Sequence, residues 1–359
     1  MLAPPRRYAL REAWRAIGTR IPSHKNPAFS SEERARGTEH GSATRRAGLA
    51  IAAAALLLVA TPIGAMAADH LTIGYVTKSA TNQGWILINR GAADAAKDAG
   101  VQLITVGPTQ ANDLGGQLST IENMINRRVN ALAIAPADST GVVPAVKKAL
   151  NAKIPVVAVD TAIYDAPISS FVATDNVAAA KDQGKWVADH IANNGEVILV
   201  NGLIAQSTGR DRHDGFVEAL KAAKPNVVVY EVQTKWDQTE AQNGVETLLR
   251  AHPKVSVIAN AWDGGPMGSI AALKAAHEKA RDVTVVGFDG APDALHQMGL
   301  NWVQCDIAQL LYKEGYDGVS AAIKAAKGEP VSARIETGHA LVTPANLKKF
   351  IADTHLGAF

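Results

Sequence analysis

Two distant stretches of this chain carry the same unit, an apolar run that stops on an aspartate. Val156-Val157-Ala158-Val159-Asp160-Thr161-Ala162 is matched by Val285-Val286-Gly287-Phe288-Asp289-Gly290-Ala291. Upstream, Ala133-Ile134-Ala135-Pro136-Ala137-Asp138 is echoed by Val257-Ile258-Ala259-Asn260-Ala261-Trp262-Asp263. A continuous Val/Ile-rich run bounded by turn residues reads as a strand buried on both faces, the habit of a parallel sheet. In open α/β sheets ligands sit outside the carboxyl ends of the strands. Two such halves, each with a strand-end carboxylate, imply two lobes facing one ligand across a cleft.

The 359-residue length supports two domains. Charge divides unevenly along the chain. Of the 36 Lys and Arg, ten fall in residues 1–67, with only four of the 34 Asp and Glu, so residues 68–359 carry 26 basic against 30 acidic side chains. A mildly acidic body gives no support for a nucleic-acid surface. The single cysteine, Cys305, excludes an intramolecular disulfide and reads as an inert core thiol.

Arg45-Arg46 precedes an uncharged stretch, 47–68, that is broken by Pro62 and Gly64 and includes the small-residue site Ala65-Met66-Ala67. That order is a secretory signal, cleaved after Ala67. A transmembrane helix is the alternative, since the uncharged length just reaches spanning range. Thr44-Arg45-Arg46 partly resembles a twin-arginine signal, which leaves the export route open. Residues 1–44 lack apolar periodicity and read as a disordered extension or an upstream start-site artefact.

From residue 70 onward, strand-like and helix-like stretches alternate with short loops, which specifies parallel doubly wound α/β sheets. Strands are expected at 71–76, 103–106, 131–135 and 155–159, with 169–173 as a short crossover. A second half follows, with strands at 196–201, 226–232, 255–259 and 283–288. One last unit consists of a strand at 302–307 and a helix at 309–327.

Several constellations could carry chemistry. Asp160 and Asp289 could each accept from two adjacent hydroxyls, as a sugar diol requires, or could cap a following helix. In the loop 77–85, Asn82 offers donor and acceptor and Trp85 an apolar face, or the pair is a helix cap and a packing Trp. Arg210 and Arg212, with Asp211 and Asp214 interleaved, open a helix; one of the two arginines is expected to reach the ligand, the alternative being a solvated salt-bridge cluster. Trp236, Trp262 and Trp302 fall near predicted strand ends, where indole faces can stack on sugar C–H patches. No metal-ligand spacing, dinucleotide fingerprint, P-loop or nucleophile elbow occurs, so neither cofactor nor metal is implied.

Together these residues resemble the ribose-binding-protein-like branch of the periplasmic sugar-binding proteins of ABC importers, over essentially all of 69–359. Val285-Val286-Gly287-Phe288-Asp289-Gly290 is similar to that family's signature, and Ile307-Ala308-Gln309 to its hinge. The resemblance implies the periplasmic binding protein type 1 fold: two Rossmann-like lobes joined by three hinge crossovers. Residues 68–174 plus 310–338 would form the first lobe and 175–309 plus 339–359 the second. It further implies ligand contacts at Asn82, Trp85, Asp160, Arg212, Trp236, Asp289 and Gln309, and a monomer that delivers a monosaccharide or polyol to a membrane permease. Two departures stand out: Thr161 follows the first Asp where ribose binders have Arg, and Trp262 replaces an Asn. With fewer charged donors and one more aromatic face, a ligand other than ribose is expected.

An exported sensor that presents a sugar to a chemoreceptor or histidine kinase would use the same cleft. A LacI-type repressor effector domain shares the fold but needs an N-terminal helix-turn-helix, where this chain has a signal sequence. As an enzyme, the chain would have to use Asp160 and Asp289 as an acid/base pair; no nucleophile or metal accompanies them, and no enzymatic activity is expected.

Overall fold

The structure, a computed structural model, describes residues 71–79, 82–108 and 112–354. The extension expected at 1–44 and the signal sequence expected at 45–67 lie outside the described residues. The first half of the chain runs β1 (Thr72–Val76), α1 (Gln83–Asp98), β2 (Gln102–Val106), α2 (Leu114–Asn126), β3 (Ala131–Ile134), α3 (Val143–Asn151), β4 (Val156–Val159) and β5 (Ser170–Ala173). The second half runs α4 (Asn176–His190), β6 (Glu196–Asn201), α5 (Ser207–Ala223), β7 (Val228–Gln233), α6 (Gln238–Ala251), β8 (Val255–Asn260), α7 (Gly264–Ala275), β9 (Thr284–Asp289), α8 (Pro292–Gly299) and β10 (Cys305–Gln309). The chain then continues through α9 (Leu311–Ala326), β11 (Arg334–Glu336), β12 (His339–Val342) and α10 (Leu347–Asp353).

Two six-stranded sheets result, ordered β11-β5-β4-β3-β1-β2 and β12-β10-β9-β8-β6-β7. Among the named pairings only β10 with β12 is antiparallel. The order is the same in both lobes, so each sheet reverses direction of growth at its first strand, β1 or β6. That reversal opens a crevice at the carboxyl ends, where the strand-end loops carry the candidate site.

Burial explains why these runs are strands. Every residue of β3 and β4 is buried, and each sheet is covered by an apolar cluster on both faces. Helix starts are written in the sequence: Asn82, Asp113, Asp175 and Asp237 each accept a backbone N–H from the first turn. Each lobe has one helix pair packed backbone to backbone. A Cβ on Gly91 of α1 would lie 1.9 Å from the Tyr312 carbonyl oxygen of α9, and one on Gly184 of α4 would lie 2.5 Å from the Phe216 carbonyl oxygen of α5.

Three crossovers connect the lobes: after β5, between β10 and α9, and between β11 and β12. Thr174 Oγ1 donates to Gly338 O at 3.2 Å and lies 3.3 Å from Thr337 Oγ1, so two of the crossovers are tied to each other.

The structure corrects the sequence reading at two places. Residues 170–173, expected as a crossover, form β5, completed as a strand by β4 on one side and β11 on the other. The last long strand begins at Cys305, so Trp302 precedes it instead of ending a strand. α8, β11, β12 and α10 are short, and no periodic pattern announced them.

Candidate functional site

The strand ends converge on a cavity of about 280 Å³ between the lobes. Eight of the residues singled out from sequence line it: Asn82, Trp85, Asp160, Arg212, Trp236, Trp262, Asp289 and Gln309. Lys78, Ser79, Asn112, Thr208 and Leu311 line it as well.

On the first-lobe side, Asp160 follows β4 with φ 65°, and no helix follows it, which removes the helix-cap reading. Its Oδ2 accepts from Lys78 Nζ at 2.7 Å and from Thr161 Oγ1 at 2.6 Å. Burial pushes this carboxyl up, but the Lys78 ammonium and the Arg212 guanidinium outweigh it and hold Asp160 below the usual carboxylate range. Asn82 does cap α1, accepting from Trp85 N at 3.2 Å, and lines the cavity as well. Lys78 Nζ lies 5.6 Å from the centroid of the Trp85 ring.

On the second-lobe side, Arg212 is 4 % exposed. It donates from Nε to Asn176 Oδ1 at 2.7 Å, and from Nη1 to Ala261 O at 2.7 Å and Asp289 Oδ1 at 2.9 Å. Its guanidinium stacks 4.0 Å over the Phe288 ring. Gln309 Nε2 also donates to Asp289 Oδ1, at 2.7 Å, while Gln309 Oε1 is buried without a protein partner. Burial raises the Asp289 carboxyl; Arg212 pulls it back, and the like charge of Asp160 raises it further. Trp236 and Trp262 meet edge to face at 5.5 Å, and Gly202 leaves room for the Trp236 ring, which a Cβ there would meet at 2.0 Å.

Sequence reasoning missed Lys78, whose three donors reach Asp160, Thr161 at 2.5 Å and Gln206 Oε1 at 3.0 Å. This corrects the expectation of fewer charged donors: Lys78 brings a cation to Asp160 and Thr161 from the β1 loop. Gln206 was missed too. Fully buried between the lobes, it accepts from Lys78 and from Trp236 Nε1 at 2.8 Å, and donates to Ala137 O at 2.8 Å and Asn112 Oδ1 at 3.0 Å. A lysine and a glutamine in polar loops give no periodicity to flag them. Ser207 N donates to Ser139 Oγ at 3.0 Å and Ala162 N to Ser207 Oγ at 2.9 Å, so the lobes touch along the rim and the cleft is closed.

Two candidates fall elsewhere. Arg210 points to the rim, donating to Ile204 O and Tyr164 Oη, so of the two arginines only Arg212 lines the cavity. Trp302 packs against the second lobe's core with Lys274 Nζ 5.1 Å from its ring, away from the cavity. The repeated upstream aspartates also diverge: Asp138 Oδ1 accepts from Thr140 N and Gly141 N in a turn, whereas Asp263 is buried inside its lobe.

The cavity thus pairs two cations with two carboxylates and adds three indoles. That suits a neutral ligand rich in hydroxyls and C–H faces. No cluster of side chains suited to a metal ion occurs among the described residues.

Residues 73–330 match the periplasmic binding protein domain family. The chain is 34% identical over 287 residues to the ribose import binding protein of Salmonella typhimurium, covering 80% of this chain and 95% of that one. Among solved structures it is similar to an ABC transporter solute-binding protein from Agrobacterium vitis with bound D-fucose, with TM-score 0.76 and 27% identity, covering 80% of this chain and 100% of that one. It is also similar to one from Mycobacterium smegmatis with bound glycerol, with TM-score 0.74 and 27% identity, covering 80% and 99%.

Proposed function

The chain belongs to the periplasmic binding protein family, in likeness to its ribose-binding members, and we propose that it captures a monosaccharide or polyol for an ABC importer. The observation that carries this reading is the pairing of Lys78 with Asp160 and Arg212 with Asp289 around one interlobe cavity of about 280 Å³. Asp160 and Asp289 accept ligand hydroxyls from opposite walls, Gln309 Oε1 offers a further acceptor, and Trp85, Trp236 and Trp262 cover the apolar faces of the ring. Asn82 and Arg212 complete the contacts as donors.

The work of such a protein is conformational. A ligand that touches both lobes stabilises the closed form over the open one, and that differential affinity shifts the population. The permease then reads the closed shape, and no bond in the ligand is made or broken. Export follows cleavage after Ala67, and the working protein is a monomer in the periplasm. Its lobes comprise 68–174 with 310–338, and 175–309 with 339–359; the membership of β11 in one sheet and β12 in the other supports that division.

A thermal-shift screen with D-ribose, D-allose, D-fucose, D-arabinose and glycerol tests the reading. A true ligand at ~100 Kd adds about 2.7 kcal/mol of stability. Asp160→Ala and Asp289→Ala should each remove that shift. A panel of monosaccharides and polyols with no shift at millimolar concentration would overturn the reading.

A further inference from the structure

Beneath the second lobe's side of the cleft lie two more carboxyl groups that do not line the interlobe cavity. Asp263, between β8 and α7, is 4 % exposed, and Asp306, inside β10, is 0 % exposed. They converge on Gly287. A Cβ there would meet Asp306 Oδ2 at 2.2 Å and Asp263 Oδ1 at 2.7 Å, so only glycine leaves space for both. The two carboxyls thus face each other out of water, and Asp306 Oδ2 is buried without a hydrogen-bond partner, which leaves it the place for a proton shared with Asp263.

The same two side chains hold the turn that carries Asp289. Asp263 accepts from Phe288 N at 3.1 Å and Ala291 N at 2.6 Å, and Asp306 Oδ1 accepts from Gly290 N at 2.9 Å. Three backbone donors of a four-residue segment are thereby fixed. The fourth residue, Asp289, has φ 129°, a conformation that an L side chain adopts only when its surroundings over-determine it.

We propose that Asp263 and Asp306 act as one proton-sharing pair that sets the turn 288–291, so that Asp289 is held toward the cleft only while the pair keeps its proton. Without that proton, two negative charges would sit in contact out of water, and the pair would separate at the expense of the amides it holds. Burial pushes Asp306 up to about 7, and Asp263, raised by burial and by Asp306, titrates with it as a unit.

The surroundings leave the pair to respond to pH largely alone. Asp289 of β9 raises its proton affinity and Arg212 of α5 lowers it. α4 presents the neutral Gln183, which donates to Gly287 O, while Asp182 and His339 of β12 pair with each other. Opposite Asp306, β12 presents Val342. Asp293 and His296 of α8 face solvent, and Cys305 adds a neutral thiol raised by burial. Glu314 of α9 faces Asp160, Arg212 and Asp289 instead.

Amide hydrogen exchange on the ligand-free full chain tests this between about pH 5.5 and pH 8.5. Protection of Phe288, Gly290 and Ala291, corrected for intrinsic rate and compared with Val285 and Val286, should fall ~tenfold per pH unit above the titration point. In Asp306→Asn, whose amide donates permanently to Asp263, protection should stay flat. Equal profiles in both proteins would overturn the proposal. In aspartate-labelled wild type, two carboxyl carbon resonances should titrate together near neutrality, and titration of every aspartate in the ordinary acid range would overturn it even if the variant fails to fold. The consequence for ligand affinity rests on Asp289 contacting the sugar, but these readouts need no sugar, so failure of the functional reading would leave them unchanged.

Discussion

Asp160 in the first lobe is held by an ammonium that also reaches across the cleft, whereas Asp289 in the second is held by a guanidinium whose acceptors all lie in its own lobe. Both carboxylates end equivalent parallel strands, at φ 65° and 129°. Their counter-ions differ in kind. Lys78 is a compact charge on a flexible stem with three donors, one of them spent on Gln206 of the opposite lobe. Arg212 is a planar fork clamped between Phe288, Asn176 and the Ala261 carbonyl. The first lobe's ion pair is therefore part of the closing contact, and the second lobe's is part of that lobe's own architecture.

That difference predicts where each cation's loss is felt. Arg212→Met leaves Asp289 without its charged partner inside a folded lobe, so ligand-free stability should fall by about 3–5 kcal/mol in urea unfolding. Unchanged stability would make Arg212 a ligand contact with no structural duty. Lys78→Met should leave ligand-free stability within about 0.5 kcal/mol, because the open lobe re-solvates Asp160. Its effect should appear in calorimetric affinity for the sugar found in the screen, weakened by about 2–5 kcal/mol. Reversal of this pattern between the two variants would break the comparison.

Gln206 isolates the closing contact from either carboxylate. Gln206→Ala removes the acceptor shared by Lys78 and Trp236 and the donor to Ala137, at about 1–3 kcal/mol for the polar groups left behind. The penalty falls on the closed form alone. Small-angle scattering should show a larger radius of gyration for the variant at sub-saturating sugar than for the wild type. Identical profiles across the titration would mean that the rim contacts between Ser139 and Ser207 suffice.

The sequence exposed what depends on period and composition and hid what depends on spatial meeting. Val156–Val159 and Val285–Phe288 are recognisable as strands because buried parallel strands need unbroken apolar runs, and the aspartate that ends each run marks the crevice. Lys78 carries no such mark, since a lysine in a polar loop reads as solvated until Asp160 is found beside it. Asp306 was passed over as part of a strand because nothing in Cys305-Asp306-Ile307 announces that Asp263 lies across Gly287. Trp302 misled for the opposite reason: its neighbours looked like the start of a strand, and the strand begins three residues later.

The smallest effect expected is the most discriminating between the two lobes, because it has opposite signs. Asp160 is depressed below its ordinary value and Asp289 is raised above it. A depressed carboxyl stabilises the fold above its unfolded pKa, and that stabilisation is lost as pH falls through the folded one. A raised carboxyl keeps its proton in the native state after the unfolded chain has lost it, so its contribution declines as pH rises from the unfolded value toward the folded one. Asp160→Asn should therefore flatten a stability curve that rises with pH through the acid range, and Asp289→Asn one that falls. Urea midpoints for both variants and the wild type from about pH 3 to pH 6 read the two slopes directly. Slopes of the same sign would mean that Lys78 and Arg212 compensate their carboxylates alike, and the contrast between a cross-cleft ammonium and an in-lobe guanidinium would not survive.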